Sequence, residues 1–309
     1  MMARWPAMTR IAAVNALFTL GLMTTASADV VTMDDFSLTL NGASAFNDTF
    51  GAGLTFAGGS GAVLPSGQTF SDGSPGFYSV IGTVTETGNK AILDTALGAH
   101  LTQRPPFFPS VNANIVTLLT GPPGSPFALT PSETFATSGL FDLSVPAKPG
   151  AFYQVNLSDR VPANSFLGDV ISMAVVNCAP GVINCGAKAG PYIQLIDANA
   201  EKGTIVALDS MPLDTKNQQI LLELTHPTAG SDTVFGWYAY VNGGVEGPLN
   251  QLGSYGGLFA DLPYTETGFV QLTPAPEPSS IALLVSSIAG VLGLVWLERR
   301  KAAGCKRHA

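Results

Sequence analysis

The sequence predicts an all-β protein: a single antiparallel β-sandwich or jelly-roll-like domain, flanked by an N-terminal signal helix and a C-terminal transmembrane helix. Three observations carry this. Short runs alternate apolar and polar residues between Gly, Pro, Asn and Asp, as a half-buried antiparallel sheet requires. Helical periodicity is nearly absent between the two ends. Of 309 residues only 12% are charged, while 34 are Gly and 22 are Pro; an ordinary soluble domain is about a quarter charged.

Arg4 and Arg10 precede an apolar run over 11–23, and Thr24, Thr25 and Ala26-Ser27-Ala28 follow. Charged, apolar and small-residue regions in that order make a cleavable secretory signal over 1–28. Ala26 and Ala28 specify the cut, and Asp29 is the expected first mature residue. The apolar run is 13 residues long, short of the roughly 20 needed to span a bilayer.

The exported domain is expected over 29–272. Strands are expected at 36–40, 78–84, 115–119, 152–157, 170–176, 192–196, 204–208, 219–224 and 234–241, each with the two-residue period of a pleated chain. The one candidate helix is 89–101, with Asn89 as its N-cap. The clearest hairpin signal is 235–241 followed by Asn242-Gly243, because a two-residue turn needs positive φ at both central positions. Trp237 and Tyr238 then face opposite ways. One belongs to the core; the other serves cross-strand packing or a sugar-stacking platform. Residues 51–76, and 104–109 with 121–131, read as long loops. Composition shifts weakly near 146–150, an alternative boundary, but one domain is preferred. No fixed-period repeat points to a solenoid or propeller. Thr273-Pro274-Ala275-Pro276 reads as a stiff spacer. Residues 29–272 hold 20 of the 22 Asp and Glu but only 7 of the 14 Lys and Arg. A surface so acidic repels phosphate backbones, which excludes nucleic acid as a partner.

Residues 278–297 carry no charge, Trp296 stands where an interfacial aromatic would, and Arg299, Arg300, Lys301, Lys306 and Arg307 lie beyond. This pattern is a spanning helix over 279–297 with a cytoplasmic basic tail, which puts the domain on the periplasmic or extracellular side. With Pro276-Glu277-Pro278 before the span and Glu298-Arg299-Arg300-Lys301 after it, segment 273–309 resembles the PEP-CTERM sorting signal of Gram-negative bacteria. The resemblance implies that an exosortase, a membrane-embedded thiol protease, cuts at or near Pro276, Glu277 and Pro278, with Arg299, Arg300 and Lys301 completing the sorting motif. It implies a route to the cell surface or matrix. It supplies no activity, since the family's exported domains are diverse.

Cys178 and Cys185 are expected to form a disulfide across a loop tip, in a compartment where disulfides persist; CxxC spacing is absent and no His lies nearby. Cys305 is expected to be a free thiol. Neither GxSxG nor HExxH occurs, and His226, next to Pro227, is expected in a solvated loop. Asp34, Asp35, Asp159, Asp169, Asp197, Asp209, Asp214 and Glu223 supply carboxylates for a glycoside hydrolase, which needs two facing each other. Calcium is the better use of them, with Asp159, Asp209 and Asp214 foremost, yet no DxDxDG-type loop supports it. No catalytic residue, metal or cofactor is therefore assigned. The expected function is a non-catalytic structural or interaction protein of the cell envelope or matrix. Its expected partners are an exosortase-type protease, the membrane through the C-terminal helix, and extracellular polysaccharide. A carbohydrate-active hydrolase and a protein-binding adhesin on the same scaffold are the alternatives.

Overall fold

The structure is a computed structural model that describes residues 29–102, 110–120, 128–159, 169–182, 184–199, 204–263 and 265–275. These belong to one unit, Ser27–Ala275. In chain order the strands are β1 (Val30–Leu40), β2 (Ala43–Asp48), β3 (Thr55–Thr69), β4 (Pro75–Glu86), β5 (Ala91–Asp94), β6 (Ala99–Thr102), β7 (Ser110–Thr120), β8 (Phe135–Asp142), β9 (Phe152–Ser158), β10 (Val170–Cys178), β11 (Gly190–Asn199), β12 (Thr204–Pro212), β13 (Gln219–His226), β14 (Thr233–Asn242), β15 (Val245–Glu246), β16 (Asn250–Gly256) and β17 (Glu266–Pro274). One helical turn, α1 (Leu258–Asp261), precedes the last strand. Among the described residues no helix is long and apolar enough to cross a membrane. The expected signal peptide and the expected spanning segment 279–297 lie outside the described residues.

The paired strands run antiparallel and join into one sheet. One half runs β12–β11–β10–β9–β17–β7–β4–β3, with β6 beside β7. The other runs β16–β14–β13–β8–β1–β2. The short β5 joins them, pairing with β4 on one side and with the start of β1 on the other. At the opposite side the sheet nearly closes: a Cβ on Gly253 of β16 would stand 3.1 Å from the Cβ of Asp209 on β12. Strands from both sides of 146–150 interleave, since β8 pairs with β13 and β7 with β17.

The two halves face each other across an apolar interior. Phe36 of β1 lies 5.3 Å from Phe269 of β17, and Phe141 of β8 lies 4.9 Å from Tyr153 of β9, between ring centroids. All four rings are fully buried, as are Phe46, Phe50 and Tyr78. Each such side chain contributes about 1.5–3 kcal/mol by leaving water. Strict alternation of buried and half-buried positions along β4 and β13 produces this one-sided burial.

Each of the nine expected strands falls within an observed one. The expected helix over 89–101 does not form. Gly88 and Asn89 have φ of 59° and 60° and make the two-residue turn between β4 and β5, closed by reciprocal hydrogen bonds of Thr87 and Lys90. Asn tolerates this left-handed conformation, which a helix cannot contain. In the β14–β15 hairpin the positive-φ pair is Gly243 and Gly244, one residue past the expected Asn242-Gly243. Asn242 instead ends β14, its Oδ1 accepting from the Gln218 backbone N–H. The expected loop over 51–76 contains β3. The expected spacer is partly strand: Thr273 and Pro274 pair with Asn112 and Val111, and the Ala275 N–H donates to the Ser110 carbonyl. Expected loops 104–109 and 121–127 lie outside the described residues.

Candidate ligand-binding face

Alternation along β13 sends Ile220, Leu222, Leu224 and His226 inward and Gln219, Leu221, Glu223 and Thr225 outward. On β14, Val234, Gly236 and Tyr238 go in, while Phe235 and Trp237 go out. The register is pinned from inside. A Cβ on Gly236 would lie 2.4 Å from Met173 Sδ and 3.0 Å from Leu195 Cδ1, so only glycine lets β14 press onto β10 and β11. A one-residue slip would move the whole outer set inward.

Following the ladders sideways gives a continuous outer row: Gln251, Trp237, Glu223, Ser138, Ser37 and Asn47. At about 4.8 Å per strand the row is about 24 Å long. Phe235, Thr225, Ala136 and Thr39 form the row beside it. The Trp237 Nε1–H donates to Thr225 Oγ1 at 2.9 Å, which fixes the tilt of the indole. Ser37 and Ser138 share a hydrogen bond of 2.8 Å between their hydroxyls. Glu223 is the one ionisable side chain in these two rows. Burial, and secondarily the charge of Glu246, push its carboxyl above the usual range. Asp35, in the next row opposite Leu140, is raised to about 6 by burial and then by the charge of Asp48, with a hydrogen bond from Asn47 opposing. Two strands and two residues separate Asp35 from Glu223, about 12 Å at the backbone.

The other expected carboxylates have local partners. Lys90 Nζ lies 2.9 Å from Asp34 and 2.7 Å from Asp142. Gln219 Nε2 donates to both carboxylates, at 2.6 and 3.2 Å. The group knots β1, β8, β13 and the β4–β5 turn. Asp169 accepts from Asn199 at 3.0 Å, Asp209 from the Ser210 N–H, and Asp214 from the Lys216 N–H. Asp159 donates its backbone N–H to the Asp169 carbonyl. Asp159, Asp209 and Asp214 are not brought together, and among the described residues no group of three or more His, Cys, Asp or Glu is placed to hold a metal ion.

Cys178 and Cys185 are bonded, with Cα atoms 5.4 Å apart. Both are buried under a loop held by Asn184, whose Nδ2 donates to Gln194 Oε1 at 2.7 Å. His226 is fully buried, not in a solvated loop: Nδ1 lies 2.8 Å from the Glu133 carbonyl and Nε2 3.1 Å from that of Ser231, and the ring stacks on Phe135. His100 is exposed and bonded to Asn112. Asp29 is 6% exposed. Its carboxylate accepts from the Ala147 N–H at 2.7 Å and from Thr273 Oγ1 at 2.9 Å, its carbonyl accepts from Gln271 Nε2, and its N–H donates to Thr95 Oγ1. Ala26, Ala28, Pro276, Glu277, Pro278, Arg299, Arg300 and Lys301 lie outside the described residues. Sequence reasoning finds Trp237 but not the polar row around it, because that row is assembled by ladders between strands far apart in the chain. No protein-family model, curated protein or solved structure matches this chain.

Proposed function

We propose that this chain is an exported, non-catalytic interaction protein of the cell surface or extracellular matrix, sorted by an exosortase-type protease through its C-terminal motif. In this reading its sandwich-like domain binds extracellular polysaccharide through the outer face of β13 and β14. The observation that carries it is the placement of Trp237 and Phe235 on that face, beside a row of hydroxyl and amide side chains. Aromatic rings pack against the apolar faces of sugar rings, and the uncharged polar groups serve their hydroxyls. The meeting of Asp29 with Thr273 supports the sorting half: the expected leader junction and the expected sorting motif join the domain at neighbouring points.

Affinity electrophoresis of the purified protein through gels containing extracellular polysaccharide from the host tests the binding. Retardation that Trp237→Ala removes supports it; equal mobility with and without polysaccharide overturns it. Fractionation with and without the sorting protease tests the route, since surface display that persists without the protease rules it out.

A further inference from the structure

The outer face carries a charge that the fold itself does not answer. Among the described residues no cation and no hydrogen-bond donor pairs with the half-buried carboxylate of Glu223. Lys90, at the end of the same strands, is already held between Asp34 and Asp142. Glu223 stands directly opposite Trp237, and Glu246 is close enough to add its own negative field. A neutral polymer laid on this row would cover an uncompensated carboxylate, and an anionic one would add repulsion; both are costly. A ligand bearing ammonium groups removes that cost. An ammonium is attracted to the face of an indole, and a carboxylate directly across the ladder from that indole adds an ion pair.

We infer that the polysaccharide bound here carries free amino groups, as in a polymer of non-acetylated amino sugars, with an ammonium seated between the indole of Trp237 and the carboxylate of Glu223. This deepens the polysaccharide reading above and rests on it. A lysine-rich peptide offers the same cation, but β13 and β14 are paired along both sides of this face. Among the described residues neither of these two strands offers a free edge for a peptide backbone to join. The side chains of Gln251, Ser37 and Asn47 along the row instead present hydrogen-bonding groups for successive sugar rings.

The test measures binding of the full chain in detergent to three soluble oligomers at neutral pH: glucosamine, N-acetylglucosamine and glucose, with poly-lysine as a fourth probe. The glucosamine oligomer is expected to bind at least about tenfold tighter than the other two sugars, roughly the effect of one added charge-assisted contact. Glu223→Gln, an outer-face change that leaves the interior intact, is expected to abolish that preference and keep weak binding of all three. Trp237→Ala is expected to weaken all three. Equal binding of the acetylated and free oligomers, or a preference that survives Glu223→Gln, overturns the inference while leaving the polysaccharide reading standing if Trp237→Ala still weakens binding. No sugar binding at all overturns both. Poly-lysine binding as tightly, with the same loss in Glu223→Gln, overturns the inference in favour of a protein partner.

Discussion

Replacing His226 by leucine should be among the most damaging single changes in the domain, although sequence places this residue in a loop. The ring is fully buried, with a backbone carbonyl at each nitrogen, at 2.8 and 3.1 Å. It also stacks on Phe135 at 5.2 Å and meets the edge of Phe259 at 5.3 Å. Leucine keeps apolar bulk but donates nothing, so the carbonyls of Glu133 and Ser231 lose their partner. One orphaned buried carbonyl costs about 1–3 kcal/mol. Counting one such loss, and about 0.5–1.5 kcal/mol for each of the two ring contacts, sets the scale. A loss of about 3 kcal/mol follows, which lowers the melting temperature of a domain this size by about 6–12 °C. Thermal unfolding followed by circular dichroism measures it. His100→Leu is the control, since that exposed side chain should change stability by less than about 0.5 kcal/mol. If the two variants melt together, the burial and pairing of His226 are wrong.

Three further changes test the packing and electrostatics. Gly139→Ala would set a Cβ 2.4 Å from Met33 Cε and 2.7 Å from Val155 Cγ2, and the overpacking should cost about 1–3 kcal/mol in urea unfolding. The Asp35 carboxyl is raised to about 6, against about 3.9 when unfolded. The native state therefore holds this proton longer, and the contribution of Asp35 to stability is lost as pH rises from about 4 to about 6. Asp35→Asn should match the parent near pH 3.5 and exceed it above pH 7 by about 1–2 kcal/mol, after discounting for solvent screening; a gain independent of pH would contradict the assignment. Replacing Cys178 and Cys185 together by alanine opens a short loop, and chain entropy puts the loss at about 2.5 kcal/mol, read as a lower urea midpoint.

Much of the fold is legible in the sequence because it is local. Period-two alternation marks β4, β13 and β14, and in β14 it shows that Trp237 and Tyr238 must part company. It does not show which of them faces the solvent. That is decided by Gly236 pressing onto Met173 and Leu195, residues from strands that precede β14 in the chain. Asn89 reads in the sequence as a helix cap; pairing of β5 with β1 and β4 selects a turn instead. β17 escapes notice because it is buried on both faces and shows no alternation. Its proline occupies the last position of the strand, opposite Val111. The row of Gln251, Ser138, Ser37 and Asn47 leaves no trace in the sequence, since its members are ordinary polar residues until the ladders align them.

The position of β17 makes folding of the domain depend on the last stretch of its chain. The last strand of the domain is not an edge strand: it lies between β7 and β9 and delivers Phe269 against Phe36. Without it the first half of the sheet divides in two, and the core loses a central ring. β1, the first strand, is likewise internal, with β8 on one side and β2 and β5 on the other. Asp29, just ahead of β1, reaches Thr273 near the end of β17 through its own carboxylate. Closing the sheet therefore requires chain from both ends, and contacts this distant in sequence form slowly. The core is incomplete until the chain through residue 275 is present. Any truncation ahead of Glu266 should thus yield an unfolded product, whereas removal of everything after Ala275 should leave the sheet whole.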